Sequence, residues 1–334
     1  LDAQDDDPHR EWLGAMIPKA IEEGITWLTR AQREEGFWEA SGSEAEDWKR
    51  VPLTALAIAV QPGYGHTHKD GSHPTYVESA RRGAKWLLAQ QQESGSFAHP
   101  DSPQPELDHA LSTLAITELL ILSGDTFLLR RPTSRALQFL CESQRDDGCW
   151  SSGATVEETR ARTAFCLVAL GTAKTCCEMR LIEGEEECRR ALERALSSLK
   201  RGSLSLDGEE AAGVLLSLLA AGMPRQSIPE RLIQAVADRR IEAPRAGIPE
   251  WFSGRYGYLA VDAMFRAGGS RYGPWVRALF EASVRSQRRG RALSGSWDPL
   301  GPSPIGATRV GETALRLLAL EICFRFSRHE DHEW

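Results

Sequence analysis

At 334 residues with a net charge of −7, the chain is long enough to bury a sizeable core and too acidic for the basic footprint of a nucleic-acid binder. No apolar run approaches the roughly 18 residues that a membrane span requires. Seven cysteines show no C-x-x-C pair or zinc spacing, and their odd number favours a reducing compartment. The opening, LDAQDDDPHREW, lacks the layout of a signal peptide, which favours the cytoplasm and leaves export open for a processed start.

Taken in order, the first element is Ala20 to Trp38, a helix ending in a turn, and the chain repeats it. Gly24, Trp27-Leu28, Gln32, Gly36 and Trp38 recur as Gly83, Trp86-Leu87, Gln91, Gly95 and Phe97. A third copy holds Ala136, Phe139-Leu140, Gln144, Gly148 and Trp150. A looser one keeps Gln287, Gly295 and Trp297 with four extra residues between Gln and Gly. Trp27, Leu28, Ala31 and Gln32 share one helical face, Gly36 suits a helix C-cap, and the following aromatic can fold back over the helix end. Its indole N–H then needs an acceptor. A unit of this kind buries its apolar face only by stacking on copies of itself, so Trp27 and Trp86 are expected buried between such helices.

Alternation follows. Val51 to Val60 is apolar nearly all round, which marks a buried helix. Then come the pairs 77–92 and 107–123, 132–144 and 159–177, 185–200 and 207–223, 228–239 and 255–267, and 274–287 and 311–326. In each, a charged amphipathic helix precedes a more apolar one, and no segment alternates with period two long enough for a sheet. Six such pairs predict an all-α (α/α)6 toroid, a single domain over 17–328 with tails at 1–16 and 329–334.

The repeat G-x-x-W-L-x-x-x-Q-x-x-x-G-x-W resembles the QW motif of the squalene-hopene cyclase and prenyltransferase superfamily. The chain more closely resembles stand-alone bacterial prenyltransferase/squalene-oxidase-repeat proteins. The likeness runs through Gly63 to His68, Asp108-His109-Ala110, Phe252 to Gly269, Gly295 to Pro299 and Thr313 to Phe326. It implies an α/α toroid and brings no established reaction.

In such a toroid the N-termini of the inner helices rim one mouth of the cavity. The candidate lining residues are Arg50, Asp108, His109, Arg160, Arg162, Arg255, Tyr256, Tyr258, Arg309 and Glu312. The resemblance also implies where an acid belongs, since class II cyclases use Asp-x-Asp-Asp, which is absent here. Nearest in form is Asp207-Gly208-Glu209-Glu210, so Asp207, Glu209 and Glu210 are the catalytic candidates, against a plainer reading as a capping box. The loop with His66, His68, Asp70 and His73 reads as polar surface rather than metal site. Asp147-Gly148-Cys149 falls inside a repeat turn, so no metal or cofactor is expected. Glu210 and Glu312 facing each other across the mouth would suit a carbohydrate-active enzyme. The leading expectation is a toroid that binds an apolar small molecule or a peptide in its central cavity, with room for a protein partner. A cyclase-type isomerase is the alternative.

Overall fold

The computed structural model describes residues 8–41, 46–150, 156–201, 208–249, 251–300, 305 and 307–325. Among these, twelve α-helices and no strand occur. Inner helices α2 (Arg50–Gly63), α4 (Pro105–Ser123), α6 (Val156–Glu178), α8 (Gly208–Ala220), α10 (Gly254–Ala267) and α12 (Arg309–Arg325) contact one another in that order, and α12 returns to α2. The ring is closed. Outer helices α1 (Pro8–Ala31), α3 (Pro74–Ala89), α5 (Thr126–Glu142), α7 (Glu185–Arg201), α9 (Glu230–Asp238) and α11 (Tyr272–Ser286) alternate with them, and α1 packs on α11, α12 and α3. Sequence character explains the layers. Every residue of α2 from Val51 to Pro62 is buried, whereas α3 buries one stripe. The all-α toroid expected from the sequence is therefore present.

Two boundaries differ from expectation. Helix α1 begins at Pro8, so 8–16 belongs to it rather than to a tail; residues 1–7 and 329–334 lie outside the described set. Helix α5 starts six residues before Pro132, because the Asp125 carboxylate caps it by accepting from the Leu128 amide at 3.1 Å.

The repeated turn makes the same bonds four times. Gln32 Nε2 donates to the Gly36 carbonyl of its own turn and to Ser79 of the next outer helix, both at 2.9 Å. Gln91 does so to Gly95 and Pro132, and Gln144 to Gly148 and Ala191. Gln287 reaches Gly295 and, at 2.8 Å, Ala20 in α1, which ties the last unit to the first. The glycine of the turn is required twice over. Gly36 has φ +104°, and a Cβ there would lie 2.5 Å from the Arg82 carbonyl oxygen. Indole N–H groups of Trp38, Trp150 and Trp297 donate to Leu28, Leu140 and Ser283 carbonyls at 2.7, 2.7 and 2.8 Å.

Those turn tryptophans are buried. Trp27 is buried too, but Trp86, expected to match it, is half-buried against Phe37. The turn aromatic reaches between the layers, while position 86 stays at their outer edge. The lengthened loop of the fourth copy carries a 3-10 turn, Arg291–Leu293, over α1, where Ala292 accepts from the Trp27 indole at 3.1 Å. Removing the ring-closing amide in Gln287→Ala leaves two carbonyls without their donor, and urea unfolding should register a loss of about 1–3 kcal/mol. A loss within error would mean that this bond does not hold the ends together.

Candidate functional site

The outer helices return the chain between inner ones, so all six inner helices point the same way. Their first turns lie side by side. Arg162 of α6 reaches Glu106 of α4 at 2.9 Å, Arg160 of α6 pairs with Glu210 of α8, and Glu312 of α12 accepts from the Gly254 amide of α10 at 2.9 Å. Arg309 donates to the Trp297 carbonyl and Ser296 hydroxyl, both at 3.2 Å, and pairs with Asp298 at 2.7 Å; Asp298 also meets Arg288. Arg50 pairs with Asp47 at 3.0 Å and with Glu39 at 3.2 Å. The mouth is laced by arginine–carboxylate pairs.

Aromatic rings gather beside α10. Tyr256 packs edge-on against Phe252 at 4.9 Å, and the Arg239 guanidinium lies over both Trp251 and Tyr256. Arg255 beside them is half-buried. Tyr258 stacks on Phe165 of α6 with centroids 5.8 Å apart. Because α8 separates α6 from α10 in the ring, this stack crosses the lumen.

Two mouth carboxylates are fully buried, and they differ. Glu312 is held by Arg316 at 2.7 Å; Arg316 also donates to the Phe252 carbonyl and lies over the Phe252 ring. Burial pushes the Glu312 carboxyl above its ordinary range, against the pull of Arg316, and pushes the Arg316 guanidinium down. Asp108, in the first turn of α4, has no hydrogen-bond partner on either carboxyl oxygen among the described residues. Burial raises it to about 8, with Ser102 and the His99 backbone pulling the other way from outside hydrogen-bond geometry. Burial thus favours the neutral form of Asp108.

His109 is not a lining residue. Its Nδ1 accepts from the Phe97 amide at 3.2 Å, so Nε2 carries the proton and donates to Ala136 at 3.0 Å. In two other units a threonine hydroxyl, Thr54 or Thr313, accepts from the corresponding tryptophan amide at 3.0 and 3.1 Å. His109 does this work in the second unit, facing the outer layer, and burial holds its pKa at about 4.

Of the expected acids, Asp207 and the side chain of Glu209 lie outside the described residues. Glu210 is matched by Arg160, and Glu312 by Arg316. His68 binds Asp125 at 3.1 Å and His73 stacks on Tyr76, so the histidine loop is tied to helix starts. Among the described residues no group of three or more His, Cys, Asp or Glu side chains is placed to hold a metal. Sequence reasoning missed Arg316, Glu106 and Phe165, whose roles depend on neighbouring helices. A signal existed for one of them: Glu312 and Arg316 stand one helical turn apart.

A groove of about 520 Å³ opens on the mouth face where the first and last units meet. Trp27, Ala31 and Val310 are among its apolar lining, and Arg30, Arg33, Arg309 and Glu39 among its polar lining. Arg33 and Arg309 already hold Glu39 and Asp298. Arg30 is exposed and takes part in no ion pair among the described residues.

No protein-family model matches this chain, nor does any curated protein sequence. Solved structures do. The GH76A α-1,6-mannanase of Salegentibacter sp. superimposes with a TM-score of 0.62 at 10% identity, covering 91% of this chain and 99% of its own. Type II terpene cyclase MstE from Scytonema gives 0.60 at 13% identity, covering 93% and 98%. A protein from Actinoplanes gives 0.55 at 16% identity, covering 91% and 98%. The class is thus an α/α toroid, shared by a terpene cyclase and a mannanase. At these identities the likeness carries the fold alone, and no particular family follows from it.

Proposed function

We propose that this toroid, a relative of the prenyltransferase-repeat proteins, binds a small apolar molecule or a peptide bearing an acidic group at its mouth and leaves it unchanged. The observation that carries this reading is the charge arrangement. Glu39, Glu106, Glu210, Asp298 and Glu312 are each matched by an arginine, while the groove adds Arg30 above an apolar floor of Trp27 and Val310. An apolar body resting on that floor would turn its acidic group toward Arg30. The test is native mass spectrometry of the protein after incubation with a lipid and metabolite extract. A retained species of unaltered mass, lost in Arg30→Ala, is expected. Retention unaffected by that change would move the site elsewhere.

A second reading rests on Asp108. Protonation-initiated cyclisation needs a carboxylic acid kept neutral in a dry setting, and among the described residues Asp108, rather than the arginine-paired Glu210, has that character. A polyprenyl substrate converted by the wild type and not by Asp108→Asn would favour this reading over the first.

A further inference from the structure

On the face opposite the mouth, where α4 ends and α5 begins, apolar side chains stand in solvent. Phe127, in the first turn of α5, is completely exposed, and Leu122, Leu128 and Met179 are exposed as well. The fold gathers them at one corner. Gly124, left-handed at φ +61°, turns the chain from the last turn of α4 into the first turn of α5. Arg130 donates to the Leu181 carbonyl at 2.7 Å and the Arg180 carbonyl at 3.3 Å, which ties the loop after Met179 to the same helix start.

A hole lies beside this knob. A cavity of about 510 Å³ has Arg130, Ser134, Cys177, Ile182, Glu183 and Gly184 in its lining. Cys177 and Ile182 are buried and give it an apolar floor. Its wall is set in advance, because Arg130 grips the loop and a Cβ on Gly184 would lie only 2.9 Å from Leu137 of α5. Phe127, Arg131 and Ser134 stand at i, i+4 and i+7, so the exposed ring and the cavity share one face of α5, about 10 Å apart along it.

A knob and a hole side by side on one surface suit a two-fold contact, since rotation by 180° sets each over the other. Charge points the same way. Arg130, with the loop it grips, lies on one side of Phe127 around α5, and Arg131 lies on the other. The rotation that seats Phe127 therefore carries the partner's Glu183 to the side where Arg131 stands. Arg131 and Glu183 are both exposed, and neither joins an ion pair among the described residues. A net charge of −7 favours a second copy here over an anionic bilayer.

We propose that this corner is a homodimer interface, in which Phe127 of each copy enters the cavity of the other and Arg131 pairs with the partner's Glu183. Leu122, Leu128 and Met179 close around the inserted ring and keep water from it. A preformed hole and an aromatic with two rotatable bonds keep the cost of ordering low. Both mouths stay open, so the contact is independent of any ligand bound there.

Sedimentation velocity of the full chain from about 1 to 100 μM tests this, and a dimer that dissociates on dilution is expected. Phe127→Asp should be monomeric throughout, with an unchanged circular dichroism spectrum and Tm, because the ring it replaces is completely exposed. Arg131→Glu should raise the dimer Kd at least about tenfold, and adding Glu183→Arg to the same chain should restore it. A monomeric wild type, a dimer indifferent to Phe127→Asp, or a charge swap that recovers nothing overturns the proposal. So does a wild type that stays monomeric and cosediments with phosphatidylcholine–phosphatidylserine vesicles until Phe127→Asp abolishes it, which would assign the corner to a bilayer.

Discussion

At pH 7, Asp108→Asn should be more stable than the wild type by about 4 kcal/mol. The carboxyl is raised from 3.8 to about 8 by burial. Between those values the folded chain keeps a proton that the unfolded chain has released. Stability therefore falls as pH rises through this window, by about 1.4 kcal/mol per pH unit. An amide at this position does not titrate, so the advantage of the variant should shrink toward zero near pH 4 and grow up to about pH 8. Guanidinium unfolding of both chains at pH 5, 7 and 8.5 isolates the effect, because every other titrating group is common to the two. Parallel pH profiles would mean that Asp108 is solvated, and the acid reading of the mouth would go with it.

Arg316→Ala should cost about 3–5 kcal/mol, because it leaves a fully buried Glu312 with the Gly254 amide and no cation. It also removes the donor to the Phe252 carbonyl and the guanidinium over that ring. Pairing Arg316→Met with Glu312→Gln takes away both charges while an amide oxygen still accepts from Gly254. Most of the loss should then return, and the two changes should couple strongly in a double-mutant cycle. An Arg316→Ala loss under about 1 kcal/mol would show that water or another cation replaces the guanidinium.

The sequence does not tell these carboxylates apart. Asp108, Glu210 and Glu312 look alike on paper: each is an acid near the start of an apolar helix. What separates them is the preceding inner helix. Glu210 meets Arg160 there and Glu312 meets a backbone amide, with Arg316 on its own helix. Asp108 has no such partner among the described residues. His109 was misread for a related reason. Its position beside Asp108 suggested the cavity, but one residue along a helix turns the side chain through about 100°, enough to face the other layer. The α8 acids drew attention through their resemblance to a motif, and a motif carries no information about burial.

Six helix pairs, their two layers and the toroid were legible in the sequence, since a period of 3.6 and the position of glycines depend only on residues a turn or two apart. The repeated Gln–Gly–aromatic turn was legible too, down to the need for an acceptor at the indole. Tertiary structure alone decided what those groups bind. The second partner of Gln287 is Ala20, at the far end of the chain, and the ring closes through it. It also decided which buried acid is held by an arginine and which tryptophan is only half-buried. Each of these is set by the helices that happen to adjoin, and burial and electrostatics act through space rather than along the chain.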